Sequence, residues 1–133
     1  MERFHNLEEL SVIQVWETVA ARAIHGERQS LAVVELDPHA VVPEHSHENE
    51  QLGIVIRGSL EFRIKDEKKT LGPGETWTIP SNVPHEVIAG PEGAVVVDVF
   101  APVRGDWEGL EKSPPREPLW PRASRNRSAA PIV

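Results

Sequence analysis

The sequence predicts one all-β domain built as a sandwich or a barrel. Apolar and β-branched segments recur along most of the chain, and residues such as glycine, proline and aspartate separate them at about ten-residue intervals. The apolar spacing typical of an amphipathic helix is not sustained anywhere after residue 20. A chain of 133 residues is also long enough to bury most of its apolar surface in a single core without disulfides.

The elements follow from this pattern in order. Residues 4–12, acidic at Glu8 and Glu9, are predicted to form a short N-terminal helix. Strands are predicted over residues 12–19, 21–25, 30–36, 51–57, 59–65, 76–79, 85–89 and 94–100. Gly58 is interpreted as the tight turn of a hairpin, and residues 90–93 as the loop that separates the last two strands.

The chain divides by composition into a barrel over residues 1–112 and a tail over residues 113–133. The tail holds five prolines and four arginines against a single glutamate, which favours an extended, polyproline-like strap over a helix. Leu119 and Trp120 are the apolar residues in its middle, and we expect them to dock on the body or on a second subunit.

Composition also bounds the function. The absence of cysteine excludes disulfides, thiolate metal sites and cysteine nucleophiles, and the net charge of −7 argues against nucleic acid or an anionic membrane as a general partner. No apolar run reaches the roughly 18 residues that a membrane span requires. The N-terminus lacks the pattern of a secretory signal, so a cytoplasmic location is expected.

Three histidines and a glutamine are the candidate metal ligands: His45, His47, Gln51 and His85. Side chains two apart on a strand share a face, so His45 and His47 can point at one ion. Imidazole nitrogen and amide oxygen both suit a divalent transition metal. Glu50 is the alternative to Gln51, but on a strand its side chain should face the opposite way. His5, His25 and His39 lack such a pattern and are interpreted as structural or surface residues.

Asp98 interrupts the apolar run of residues 95–100, where an unpaired carboxylate would be costly to bury. Two interpretations stay open: a catalytic acid or base near the metal, or a structural carboxylate paired with Arg63 or Arg104. Arg104, where the chain leaves the barrel, is a candidate for gripping a substrate carboxylate. Phe100 shares a face with Asp98 and is a candidate pocket wall, whereas Trp77 is either pocket wall or core.

The patterns His45-x-His47-x3-Gln51-x6-Gly58 and Pro80-x-Asn82-x2-His85 resemble the paired motifs of the cupin superfamily over residues 31–104. The resemblance implies a jelly-roll barrel in which both motifs hold one divalent metal. Two usual glycines are His39 and Asn82 here, and the usual glutamate is Gln51. With Gln51 the ligand set is neutral, so a bound ion would keep its full +2 charge, which suits an anionic substrate.

With Asp98, Phe100 and Arg104 included, the chain is similar to the small pectin-degradation cupins that process 4,5-unsaturated uronates. That resemblance implies an isomerase of the tautomerase type, with Asp98 and Arg104 catalytic, Arg104, Phe100 and Trp77 binding substrate, and one nickel, zinc, manganese or iron ion on the four ligands. It also implies a homodimer and a small carboxylated sugar as substrate. The alternatives are another metal-dependent cupin enzyme, such as a dioxygenase or sugar isomerase, and a cupin that binds a carboxylated sugar without catalysis.

Overall fold

Nine strands and two short 3₁₀ turns make up the computed structural model, which describes residues 2–121. The strands are β1 (Val12–Trp16), β2 (Val19–His25), β3 (Ser30–Leu36), β4 (Val41–His45), β5 (Glu50–Ile64), β6 (Glu67–Leu71), β7 (Thr76–Ile79), β8 (His85–Ala101) and β9 (Lys112–Ser113). The 3₁₀ turns are Leu7–Glu9 and Gly105–Gly109. The predicted all-β fold is confirmed, and no helix in the described part of the chain is long and apolar enough to cross a membrane.

The two longest strands, β5 and β8, pair with each other along their whole length and run through both layers of the fold. One layer contains β9, β1, β2, β3, the second half of β8, the first half of β5 and β7. The other layer pairs β4 with the first half of β8 and β6 with the second half of β5. The apolar core, including Leu60, Phe62, Val87 and Phe100, lies between these layers.

The prediction of a hairpin turn at Gly58 and of a loop at residues 90–93 is wrong. Both segments lie inside continuous strands, and the register of β5 against β8 shifts between Gly58 and Leu60. Gly58 has a φ of 83°, and a Cβ atom there would collide with the carbonyl oxygen of Gly93 and lie 2.8 Å from the Cα atom of Ala94. The glycines therefore allow two paired strands to bend together from one layer into the other.

The predicted helix over residues 4–12 is also wrong, because only the single 3₁₀ turn Leu7–Glu9 forms there. The Asn6 side chain accepts a hydrogen bond from the Glu8 amide at 2.9 Å and starts this turn. Val12 and Ile13 then bury their β-branched side chains in β1, which favours strand over a longer helix. The predicted strand over residues 12–19 is divided by a turn between β1 and β2.

The first part of the tail runs along the body. The Glu35 carboxylate is buried and accepts hydrogen bonds from Arg22 Nη1 at 2.8 Å and from the Leu119 amide at 2.9 Å. Arg22 Nη2 donates to the carbonyl oxygen of Arg116 at 3.0 Å. The rest of the predicted extended tail, residues 122–133, lies outside the described residues, and the division of the chain at residue 112 stays a prediction.

Candidate metal centre

Paired strand ends bring the three candidate histidines together. His45 is the last residue of β4 and His85 the first of β8, and the register places them directly opposite each other. His47 follows in the loop after β4, and not on the strand itself as predicted. The ring centroids of His45 and His85 are 4.3 Å apart, and those of His47 and His85 are 5.0 Å apart. One ring nitrogen from each histidine lies within 4.8 Å of the others, so the predicted convergence is confirmed.

Backbone carbonyls fix the orientation of all three rings. Each Nδ1 atom lies within hydrogen-bond distance of a carbonyl oxygen: His45 of Pro43 at 2.8 Å, His47 of Asn49 at 2.9 Å and His85 of Val83 at 2.9 Å. Since a carbonyl only accepts, each Nδ1 carries the hydrogen and each Nε2 keeps a free lone pair. This arrangement is typical of metal-binding histidines, whose second nitrogen is held by a backbone or carboxylate acceptor.

Burial and neighbouring charge favour the neutral forms of His47 and His85, and metal binding requires neutral imidazole. Burial, together with the charges of His45, His47 and Arg104, lowers the pKa of His85 to about 4, against the Val83 hydrogen bond. Burial also lowers the pKa of His47, with the Arg104 charge as the next cause. The three rings therefore fit a divalent transition metal in geometry, and the lowered pKa values of His47 and His85 favour the form that binds it.

Gln51 faces the histidines from β5. Its Oε1 atom is 3.2 Å from His47 Nε2, and its Nε2 donates to Asp98 Oδ1 at 2.9 Å. Gln51 is buried whereas Glu50 is exposed, which confirms that the amide and not the carboxylate points inward. Because Asp98 takes the amide nitrogen, the amide oxygen is directed at the histidine cluster. Gln51 is thus placed to serve as the fourth ligand.

Asp98 lies on β8 with its side chain buried between the layers, only 6% exposed. Burial raises its pKa to about 7, against the Gln51 hydrogen bond, the Arg104 charge and the neighbouring Trp77 indole, all of which lower it. Arg63 pairs instead with Glu44 at 2.8 Å and Glu86 at 3.3 Å, so the predicted structural pairing of Asp98 with Arg63 does not occur. A carboxyl group with a pKa near neutrality can both give and take a proton.

Trp77 belongs to both of its predicted environments. It is 7% exposed, packs on Phe62 with ring centroids 4.8 Å apart, and also lines the cavity. Its Nε1 atom is buried without a hydrogen-bond partner among the described residues, although the indole lies close enough to Asp98 to favour the carboxylate. Gly53 leaves the room for this ring, because a Cβ atom there would collide with it.

Arg104 enters the same cavity from the turn after β8. Its guanidinium lies between two aromatic rings, 4.7 Å from the centroid of Phe100 and 4.8 Å from that of Trp107. Its Nε and Nη2 atoms donate to the two carboxylate oxygens of Asp106 at 3.1 and 3.0 Å. The rings and Asp106 together fix the plane and the rotation of the guanidinium, which leaves Nη1 without a hydrogen bond within residues 2–121.

The cavity that unites these groups has a volume of about 240 Å³. This is below the range of roughly 300–1,000 Å³ that drug-sized ligands occupy, so the cavity suits a smaller molecule. Its wall includes Trp16, Asp106 and Trp107, three residues that the sequence analysis did not select. Asp106 could have been selected from the sequence because its carboxylate lies two positions after Arg104. The two tryptophans reach the cavity only through the fold.

The remaining histidines lie outside the cluster. His39 has a φ of 62° and Asn82 a φ of 65°, so both positions where the resemblance led us to expect glycine adopt the left-handed conformation. His25 Nδ1 lies 2.7 Å from Ser30 Oγ, and His5 is exposed. Their interpretation as structural or surface residues agrees with these positions.

Comparisons with known proteins relate this chain to a family. A family model described as "Cupin domain" matches residues 32–100. The chain is 35% identical over 69 residues to the pectin degradation protein KdgF of Dickeya dadantii (strain 3937), covering 51% of this chain and 63% of the relative. It is 36% identical over 70 residues to the oxalate decarboxylase OxdC of Bacillus subtilis (strain 168), covering 49% of this chain and 18% of the relative. The chain thus spans less than two thirds of either relative's length.

Among solved structures, KdgF from Halomonas sp. superposes with a TM-score of 0.73 and is 28% identical. That match covers 80% of this chain and 98% of the Halomonas protein.

Proposed function

Because the chain belongs to the cupin domain family, we propose that it is a metal-dependent enzyme that acts on 4,5-unsaturated uronate monosaccharides. The reaction we propose is their conversion to linear, ketonised products. The observation that carries this proposal is the arrangement of three converging histidine nitrogens beside Gln51 and Asp98 in a cavity that Arg104 also lines. The similarity to two KdgF proteins supports the substrate class.

The four proposed ligands are His45, His47, Gln51 and His85, and the ion would be nickel, zinc, manganese or iron. When bound, such an ion supplies electrostatic stabilisation for negative charge that develops on substrate oxygens. With a neutral ligand set it acts at full charge, which suits a carboxylated substrate.

Arg104 would bind the substrate carboxylate. Its Nη1 atom is free to donate, and the clamping of its guanidinium by Phe100, Trp107 and Asp106 means that little side-chain entropy is lost on binding. Phe100 and Trp77 would form the wall against the sugar ring, as predicted from the sequence.

Asp98 would move the proton. Opening the ring breaks the bond between C1 and the ring oxygen and releases the proton of the anomeric hydroxyl, which leaves an aldehyde and an enolate. Protonation of this enolate at C4 gives the ketone, so one proton is lost, one is gained and no redox change occurs. Gln51 holds Oδ1 of Asp98, so Oδ2 is the oxygen that would carry this proton.

The direct test is to add purified, metal-containing protein to an unsaturated galacturonate monomer and follow the loss of its ultraviolet absorbance. We expect accelerated decay that Asp98→Asn and Arg104→Ala both abolish while metal content is unchanged. Wild-type rates in either variant would refute the role given to that residue.

The competing proposal is a different metal-dependent cupin reaction, which the similarity to an oxalate decarboxylase favours. Two further measurements separate it from uronate chemistry. Release of carbon dioxide from oxalate, or oxygen consumption during turnover, would support the competing reaction. Undiminished uronate turnover without oxygen would support ours. Binding of the uronate without its conversion would instead indicate a non-catalytic sugar-binding cupin.

A homodimer and a cytoplasmic location complete the proposal. Leu31 and Leu52 are 39% and 48% exposed and flank Val99 on the outer face of the larger layer. We expect a second copy to pack on this face, since exposed apolar patches commonly mark interfaces. Sedimentation velocity of the wild type and of Leu52→Glu tests this: the variant should be the smaller species.

A further inference from the structure

The turn that carries Arg104 is held by two buried polar side chains from elsewhere in the chain. β8 ends at Ala101, and Arg104 begins the 3₁₀ turn Gly105–Gly109 as its N-cap. The Arg104 amide donates to Ser30 Oγ at 2.9 Å. The Pro102 carbonyl oxygen accepts from Asn49 Nδ2 at 2.6 Å, and the same nitrogen lies 3.5 Å from the carbonyl oxygen of Val103.

Asn49 also belongs to the histidine cluster. Its backbone carbonyl oxygen accepts the hydrogen bond that orients His47, at 2.9 Å from Nδ1. It directly precedes β5, which carries Gln51 two positions later. Asn49 is only 6% exposed, and its amide joins two segments that are 53 residues apart in sequence.

We propose that Asn49 is a positioning residue that sets the spacing between the histidine cluster and the Arg104 guanidinium. The inference rests on the proposed function, because that spacing matters only if one substrate reaches both ends of the site. Both ends must then be placed within a fraction of an ångström, and a misplacement of about 1 Å can cost about a hundredfold in rate. The Asn49 amide is the one side chain of residues 2–121 that bonds to the Arg104 turn from the histidine loop.

Equilibrium binding tests this inference without turnover. The probes are D-galacturonate, which has the carboxylate, and D-galactose, which lacks it, each titrated into metal-loaded protein by calorimetry. The variants are Asn49→Ala, which removes the amide, and Asn49→Asp, which keeps its shape but cannot donate to Pro102. Val12→Ala, a buried substitution in β1 away from the cavity wall, is the control for destabilisation alone.

We expect wild-type protein to prefer galacturonate, and both Asn49 variants to bind it about tenfold more weakly, as loss of a buried hydrogen bond suggests. Galactose affinity and metal content should not change, because the carbonyl that holds His47 remains. In an Arg104→Ala background, Asn49→Ala should cause no additional loss, since Asn49 acts through Arg104. The Val12→Ala control should bind both sugars like the wild type.

Three results would overturn the inference: an Asn49 variant that keeps galacturonate affinity within about twofold, an Asn49 loss that adds fully to that of Arg104→Ala, or an equal loss in Val12→Ala. If alanine reduces the yield of folded protein, the same outcomes are measured on Asn49→Asp. The failure of the proposed function is distinguishable, because wild-type protein would then leave the unsaturated uronate unaltered, whatever the Asn49 variants bind.

Discussion

Replacing Asp98 by asparagine should stabilise the metal-free protein at neutral and alkaline pH. The pKa of Asp98 rises from 3.8 to about 7 on folding, chiefly because burial disfavours the charged form. Between these values the folded state binds a proton that the unfolded state does not, so the free energy of unfolding falls by about 1.4 kcal/mol per pH unit as pH rises. The full cost of ionising the buried carboxyl above pH 7 is on the order of 4 kcal/mol.

Asparagine removes this cost but keeps an oxygen that accepts the Gln51 hydrogen bond. The two proteins must be compared through the difference between their free energies of unfolding, because His85 changes stability with pH in the opposite direction. Its pKa is lowered on folding, so it reduces stability as pH falls below about 6.5 in both proteins. Subtracting the two curves cancels this contribution.

The assay is urea unfolding of chelator-treated wild type and Asp98→Asn between pH 5 and pH 8. The free energy of unfolding of the variant should rise relative to that of the wild type by about 1.4 kcal/mol per pH unit up to about pH 7. Above that pH the difference should become constant. Asp106→Asn is the control, since the Arg104 hydrogen bonds lower the pKa of this exposed carboxyl and its removal should give no such gain. A gap between wild type and Asp98→Asn that does not change with pH would show that burial does not raise the pKa of Asp98.

Three further predictions concern the surroundings of the site. Gly53→Ala places a Cβ atom against Trp77 and 2.6 Å from Asp98 Oδ1, and should lower stability by about 1–3 kcal/mol. The control is Gly72→Ala, whose Cβ atom meets nothing within 4 Å and should leave the thermal midpoint unchanged. Equal midpoints would contradict the packing described here. Gln51→Glu removes the hydrogen-bond donor to Asp98. The variant should bind metal more tightly in a chelator competition, yet its rate of uronate conversion should fall at least about tenfold. An unchanged rate would contradict the role of the neutral ligand set. Because the pKa of His85 is lowered to about 4, metal should be retained on dialysis at pH 5.5, where an unperturbed histidine is largely protonated. Complete release of the metal at that pH would contradict the lowered pKa of His85.

The sequence was most informative where function depends on short-range spacing. Strand alternation placed Gln51 inward and Glu50 outward, and the structure confirms both. The spacing of His45 and His47 predicted that both reach one site, although His47 does so from a loop. Such features follow from local backbone geometry, which a few residues determine.

The bends and the cavity wall could not be predicted in the same way. A glycine such as Gly58 suits both a hairpin turn and a bend in a paired strand, and only its contact with Gly93 on another strand decides between them. Trp107 lies in a short turn without periodicity, and its packing on Phe100 depends on how the chain leaves β8. These features depend on long-range pairing, which local patterns do not contain.

The metal stoichiometry of the purified protein shows whether the histidine cluster binds an ion. Wild-type protein equilibrated with a divalent transition metal and then desalted should retain about one ion per chain by elemental analysis, since one cluster of three imidazoles lies among the described residues. His85→Ala should retain none, while His25→Ala, which changes a histidine outside the cluster, should match the wild type. Equal metal content in all three proteins, or none in the wild type, would show that the histidine cluster is not a metal site.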